Sequence, residues 1–405
     1  MEKVRLRLYQ LVLTLTLASL MLTLANSGKQ REFFYFSVYA SIIGLFIEWK
    51  KINLSTFSIA LPILLTGVIN LCWYFAYEYH NEGINTYNEY LMASKKLILG
   101  SILVFYLDRF RSYISAQTFQ GCFLLASGTG FFLASIYALW QVTHGMVRAE
   151  MGINRATVSA YIYSVLSLSF IYSLYLHKKV ALYVMAGMLT LFSWYIILLT
   201  GTRAAMGLFF IFSILLTMYH FRKIPIKSIA IFFASIIVLV LVSYKPYIKP
   251  KIDQTVTEIH SFHQGQDDTS LGARFSMWVV GVENGLAYPL GQSMGSREQW
   301  TGRYVKEHPN FSSSMLYIHV HLHNEFIEKF SLQGVPGVIF LAFLFVSLLL
   351  QGFRKQNAIL LMTTISLLLY GMTDVILLSS EALIFFLVMF ALSISFNSEK
   401  FILQQ

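Results

Sequence analysis

The chain has 405 residues, 56% of them hydrophobic and only 12% charged, with a formal net charge of +10. An ordinary soluble domain carries about a quarter charged residues, so this composition excludes a soluble globular fold. The basic excess does not point to nucleic acid either, because no basic domain with interleaved aromatics is present.

Lys3, Arg5 and Arg7 precede the first apolar run. No small-residue cleavage site follows, so that run reads as a retained first helix. Apolar runs of membrane-spanning length then recur along the whole chain. Twelve are predicted, at 8–25, 33–47, 57–74, 97–107, 121–140, 157–176, 180–199, 204–219, 229–242, 336–350, 358–372 and 382–396. The fourth is short and is expected to extend into its flanks. Cys72 and Cys122 both lie in apolar runs, which argues against a disulfide framework. The fold class is therefore all-α and polytopic. Residues 1–242 hold spans one to nine, 243–335 form one large loop region, and 336–405 hold the last three spans and a tail.

Basic residues orient the bundle. If the N-terminus is cytoplasmic, 15 of the 30 basic residues fall in cytoplasmic segments and 7 in the short loops opposite. Short loops decide orientation, and long ones translocate largely regardless of charge. Both termini are thus expected in the cytoplasm, and the long loop on the outer side.

Within that loop, TSLGARFSMWVVGVENG predicts a helix with Thr269 or Ser270 as N-cap and Gly285 just past its end. Leu271, Phe275, Trp278, Val279 and Val282 share one face of it, suited to lie on a membrane or pack on the bundle. YPLGQSMGS reads as turn. HLHNEFIEKFSLQGVPG reads as an extended piece, a short helix from about Asn324, and a break at Gly334–Pro336.

Two arginines stand where a cation is disfavoured. Arg203 opens the eighth span, with Thr202 as the expected N-cap, and Arg274 lies in the first turn of the loop helix. A helix N-terminus carries partial positive charge and readily binds phosphate. Each arginine alone also fits an interfacial or solvated side chain. Together they suit a ligand with two phosphates, which the planar guanidinium binds bidentately.

The run HVHLHNEF places His319, His321 and His323 at alternate positions. On an extended strand all three would share a face. Three readings follow: a zinc site with Glu325 as a further ligand, a polar interfacial edge, or one histidine as general base. His323 suits the last, beside Asn324 at a helix start whose dipole favours the neutral imidazole.

TGTRAAMG, SLGARFSMW with YPLGQSMGS, and HLHNEFIEKFSLQGVPG together resemble the O-antigen ligases (WaaL) of Gram-negative bacteria, within the O-antigen ligase/polymerase superfamily. Their order, the late outer loop and the span count agree over essentially the whole length. The resemblance implies a GT-C-like membrane fold. It implies transfer of O-antigen from undecaprenyl diphosphate to a sugar of lipid A–core at the periplasmic face of the inner membrane, in lipopolysaccharide biosynthesis. It further implies inversion at the anomeric centre, no cofactor and no metal. It carries diphosphate binding onto Arg203 and Arg274, and catalysis onto His323. His321, Asn324 and Glu325 support it, no role is carried onto His319, and Asp374 in GMTDV resembles another acidic position of the family.

O-antigen polymerases and protein O-oligosaccharyltransferases share this pattern. A flippase or transporter is a rival of another class, but it would concentrate ionisable residues or broken helices near mid-membrane. Here the polar groups gather at one face.

Overall fold

The computed structural model describes residues 2–52, 58–78, 85–177, 179–221 and 241–396, with residues 234, 237 and 238. Among these, regular structure is entirely helical. The α-helices are α1 (Glu2–Leu22), α2 (Ser27–Glu48), α3 (Ala60–Tyr77), α4 (Asn85–Arg109), α5 (Ala116–Thr143), α6 (Ala156–Tyr175) and α7 (Val180–Thr200). They continue with α8 (Arg203–Phe221), α9 (Lys249–His263), α10 (Ser270–Ala287), α11 (Met294–Glu307), α12 (Glu325–Arg354), α13 (Ala358–Gly371) and α14 (Ser380–Ser393).

Seven of these, α1, α3 to α7 and α12, are long and apolar enough to cross a membrane, and α8, α13 and α14 are shorter apolar helices. The protein is a polytopic helical membrane protein. The expected short fourth span extends into the 25 residues of α4. The second apolar run becomes α2, whose first turns carry Lys29, Arg31 and Glu32. The ninth predicted span, 229–242, lies almost wholly outside the described residues, as does the tail beyond 396.

The bundle is organised around α6, which is buried on nearly every side. It packs on α5, α7, α8 and α13. Such close approach needs small residues, and α6 supplies Ser159, Ser164, Ser167, Ser169 and Ser173. A hydroxyl in a dry interior must find an acceptor. Ser167 and Ser169 turn back to the carbonyls of Tyr163 and Val165, each at 2.7 Å. Ser164 bonds Tyr370 of α13 at 2.7 Å, which locks the two helices in register.

Between α8 and α12 the chain makes α9, α10, α11 and a 3₁₀ stretch over Pro309–Tyr317. The helix α10 starts where expected, with Thr269 Oγ1 accepting from Gly272 N at 3.1 Å. Its packed face is not the one of Phe275, Trp278, Val279 and Val282. Gly272, Ala273, Ser276, Met277, Val280, Gly281 and Gly285 are buried, whereas Val279 and Val282 are exposed. Gly281 seats Leu322 and Ile327, and Gly285 seats Phe330 of α12. Small residues won because the backbone of α10 lies against large side chains of its neighbour.

Gly334 breaks α12 at φ 63°, ψ −155°. This region is open to glycine alone. Backbone groups released by the break are taken by the 288–292 turn: Gln292 N donates to Leu332 O at 2.9 Å and Val335 N to Pro289 O at 2.8 Å.

Candidate active site

Asn324 organises the histidine segment. Its Oδ1 caps α12 by accepting from Phe326 N at 3.0 Å and Ile327 N at 3.2 Å, as the short polar side chain of a good N-cap does. Its Nδ2 donates to Met372 O at 3.0 Å, just past the end of α13. That bond brings the 372–379 turn against the start of α12. Glu325, fully buried, adds a second tie, with its Oε2 accepting from Leu377 N at 3.0 Å.

His323 and Asp374 meet at this junction. His323 Nδ1 lies 3.2 Å from Asp374 Oδ1. Asp374 Oδ1 also accepts from its neighbour Val375 N at 2.9 Å. The backbone at His323 is left-handed, φ 49°, a region that costs a side chain of this kind energy and recurs at functional positions. With its proton on Nδ1 and given to Asp374, His323 leaves Nε2 as an acceptor. A carboxylate, and not only the helix start, therefore governs this imidazole.

His321 packs edge-on against His323, ring centroids 4.5 Å apart. Burial, and next the neighbouring His323, hold its imidazole below the ordinary value. Burial works to raise the Asp374 carboxyl, but the hydrogen bond from His323 and the charges of His321 and His323 outweigh it and hold the carboxyl low. His319 does not join them. The segment turns instead of running extended, and the half-exposed His319 pairs with Glu298 at 3.1 Å. His321, His323 and Asp374 each offer one ligand atom, all within 4.8 Å of one another, so these three residues are where a divalent ion would be held.

The arginines approach from the same end of the bundle. Gly201, at φ 63°, ends α7, and Arg203 opens α8. Thr202 does not cap α8 with its side chain; its hydroxyl accepts from Arg148 Nη2 at 3.2 Å. Arg203 is not open to an anion as expected from sequence. Its Nη1 donates to Thr255 Oγ1 at 2.9 Å and to Glu258 Oε2 at 3.2 Å, and its Nη2 to Glu258 Oε1 at 3.3 Å. Burial pushes the Glu258 carboxyl up, but the Arg203 bonds and then Gln254 bring it below its usual value. The α9 helix thus lays a carboxylate across the arginine fork, in the shape a phosphate would take. Trp194, Leu198, Met206, Phe210, Ile252 and Val256 line an apolar groove of ≈ 430 Å³ that runs up to Arg203.

Arg274 is half-buried in the first turn of α10, and no carboxylate lies within ion-pair distance of it among the described residues. It lies within electrostatic reach of the Tyr161 hydroxyl, as do Arg148 and Asp374. That hydroxyl lies 3.2 Å from Thr373 Oγ1, beside Asp374. Arg274 and the His323–Asp374 pair therefore border one region.

One buried polar cluster had no distinguishing signal in the sequence. Arg297 of α11 and Glu328 of α12, both fully buried, form an ion pair at 3.1 Å. Beside them Lys329 Nζ donates to Asn70 Oδ1 at 2.7 Å and stands 4.3 Å over the ring of Tyr90.

A paired histidine and carboxylate thus stand at one end of a multi-pass bundle together with two arginines at helix starts. Residues 188–342, from α7 into α12, match the family described as O-antigen ligase. A protein named O-antigen ligase from Escherichia coli (strain K12) is 28% identical over 371 residues, covering 89% of this chain and 86% of that protein. The chain is similar to the O-antigen ligases, a family of lipid-linked glycan transferases. The family match contains Arg203, Arg274 and His323 and ends before Asp374.

Proposed function

We propose that this protein is an O-antigen ligase in the strict sense. It transfers O-antigen glycan from undecaprenyl diphosphate to a sugar hydroxyl of lipid A–core, with inversion and without a metal. The observation that carries the reading is the His323–Asp374 contact at 3.2 Å, at the end of the bundle where Arg203 and Arg274 also lie. In this reading His323 Nε2 removes the proton of the acceptor hydroxyl. The hydroxyl oxygen attacks the anomeric carbon, and the bond from that carbon to the diphosphate oxygen breaks. Arg203 and Arg274 neutralise the charge that collects on the leaving diphosphate, the role preorganised cations fill best in a dry site. Asp374 fixes the imidazole tautomer, Asn324 and Glu325 hold the junction, and His321 shields it.

Donor binding then requires Arg203 to exchange Glu258 for phosphate, and the apolar groove beside it suits a polyprenyl chain. The basic-residue pattern supports an inner-membrane protein with both termini cytoplasmic and the site periplasmic. In the same reading, 1–242 and 336–405 form a GT-C-like membrane part of about twelve spans, and 243–335 lie over it.

The test is reconstitution of purified protein with undecaprenyl-diphosphate-linked glycan and one of three acceptors: lipid A–core, a second lipid-linked glycan, or a protein. Transfer to lipid A–core alone is expected. Lengthening of the lipid-linked glycan would make it a polymerase, glycosylated protein an oligosaccharyltransferase, and movement of the lipid across vesicles without transfer a flippase.

A further inference from the structure

We propose that Arg297 and Glu328 are positioning residues for the transfer reaction, because their buried ion pair grips both ends of the turn that delivers His323. The inference rests on the reading of His323 as base.

Both side chains are fully buried, Arg297 on α11 and Glu328 on the first turn of α12. Arg297 Nη1 donates to both Glu328 oxygens, each at 3.1 Å. Buried charges are costly, and a well-packed apolar pair is often at least as stable in such a place. What apolar side chains cannot do is satisfy backbone. Arg297 Nη2 donates to Ile318 O at 2.6 Å, and Leu322 N donates to Glu328 Oε2 at 2.9 Å.

Ile318 and Leu322 are four positions apart. In an α-helix the N–H of Leu322 would bond the carbonyl of Ile318 directly. Here the ion pair is spliced into that bond: the N–H reaches the carboxylate, the carboxylate the guanidinium, and the guanidinium the carbonyl. The 3₁₀ stretch that ends at Tyr317 is thereby stopped from running on into α12 as one helix. Ile318–Val320 make one further turn, with Val320 N donating to Tyr317 O at 2.9 Å, after which the chain leaves the helical path, and His319 O is anchored from outside by Thr86 Oγ1 at 2.7 Å. His323 follows at once, in its left-handed conformation, aimed at Asp374. Neither charged residue lies within bonding distance of His323, so each acts through the turn.

Two double variants separate positioning from simple adhesion between helices. Arg297→Met with Glu328→Leu removes both charges and both backbone anchors. Arg297→Glu with Glu328→Arg keeps an ion pair but reverses it, setting acceptor against the Ile318 carbonyl and donor against the Leu322 N–H. The reversed pair carries the test if the apolar pair fails to yield folded protein. Each is purified, checked for a single monodisperse species, and compared with wild type and His323→Ala. The readouts are binding of undecaprenyl diphosphate and the kcat and KM of transfer to lipid A–core. The folded double variants are expected to bind undecaprenyl diphosphate within about threefold of wild type and to lose at least tenfold in kcat. Transfer within twofold of wild type by either folded variant, with His323→Ala inactive, overturns the positioning role and leaves the proposed function standing. Full activity in His323→Ala overturns the reading beneath it.

Discussion

His323 and Asp374 are joined across 3.2 Å, Nδ1 to Oδ1, although they are 51 positions apart and belong to different chain reversals. General-base catalysis contributes typically 10²–10⁴-fold. His323→Ala is therefore expected to lose about a hundredfold or more in transfer, with undecaprenyl diphosphate still bound. Asp374→Asn keeps the shape but not the charge and should lose about tenfold. Both are measured as kcat in proteoliposomes; wild-type rates in His323→Ala would remove it as the base.

Arg203 and Arg274 are expected to cost at least about tenfold each on change to alanine, since a hydrogen bond to a charged group is worth roughly 1.5–3 kcal/mol. Lysine should restore part of the loss, keeping charge but not the fork. Glu258→Gln withdraws the carboxylate that occupies Arg203 and should tighten undecaprenyl diphosphate binding several-fold. Weaker binding in that variant would mean that Glu258 belongs to the donor site and does not compete with it.

Acid should act through His321 first. Its folded imidazole is held below the ordinary value by burial, so the native state resists a proton that the unfolded chain accepts near pH 6.5. Stability is then expected to fall as pH drops through that value. The Asp374 contribution persists to lower pH, because its carboxyl is held below the usual range and is lost only when pH falls through that depressed value. Melting temperatures between pH 7.5 and 5.5 should fall more steeply for wild type than for His321→Gln. Parallel profiles would count against His321 as the sensitive group.

Chelation distinguishes base from metal ligand. His321, His323 and Asp374 lie close enough to share an ion. Prolonged EDTA treatment is expected to leave transfer unchanged, and added zinc to inhibit by taking the nitrogen that the base needs. Loss on chelation with recovery on zinc would reassign all three as ligands.

Topology is testable with cysteines at Lys179 and Gln299, both exposed, after Cys72 and Cys122 are replaced. An impermeant thiol reagent on spheroplasts should label position 299 and spare 179. The reverse pattern would put the site in the cytoplasm.

Much of the bundle was legible because apolar length is a local property. The runs near 121–140 and 157–176 became α5 and α6 with small shifts at the ends. Caps were legible for the same reason: Thr269 and Asn324 begin helices where their side chains allow it. What stayed hidden depends on distant partners. The acidic and basic residues of α9 gave no hint that Glu258 would cover Arg203, and nothing in GSREQW marked Arg297 as buried. Of the two roles open to the bulky face of α10, packing on the bundle is not the one it takes: Val279 and Val282 stay exposed, and close helix contact falls to the glycines and Ala273. His319 was grouped with its neighbours by alternation, which fails once the segment turns.

The break at Gly334 also fixes a length. The nine residues from Glu325 to Gln333 rise roughly 13 Å along a helix axis, so His323 stands about that far from the break, at the other end of a helical arm. The Pro289–Gln292 turn is wedged at the break, and a side chain on Gly334 would collide with the carbonyl of Pro289. The stand-off is therefore rigid and does not depend on a loop. The spacing between that wedge and the imidazole is thus a constant of the fold, and a substituent at position 334 is expected to reach the site by shifting a stiff arm, not by loosening a loop.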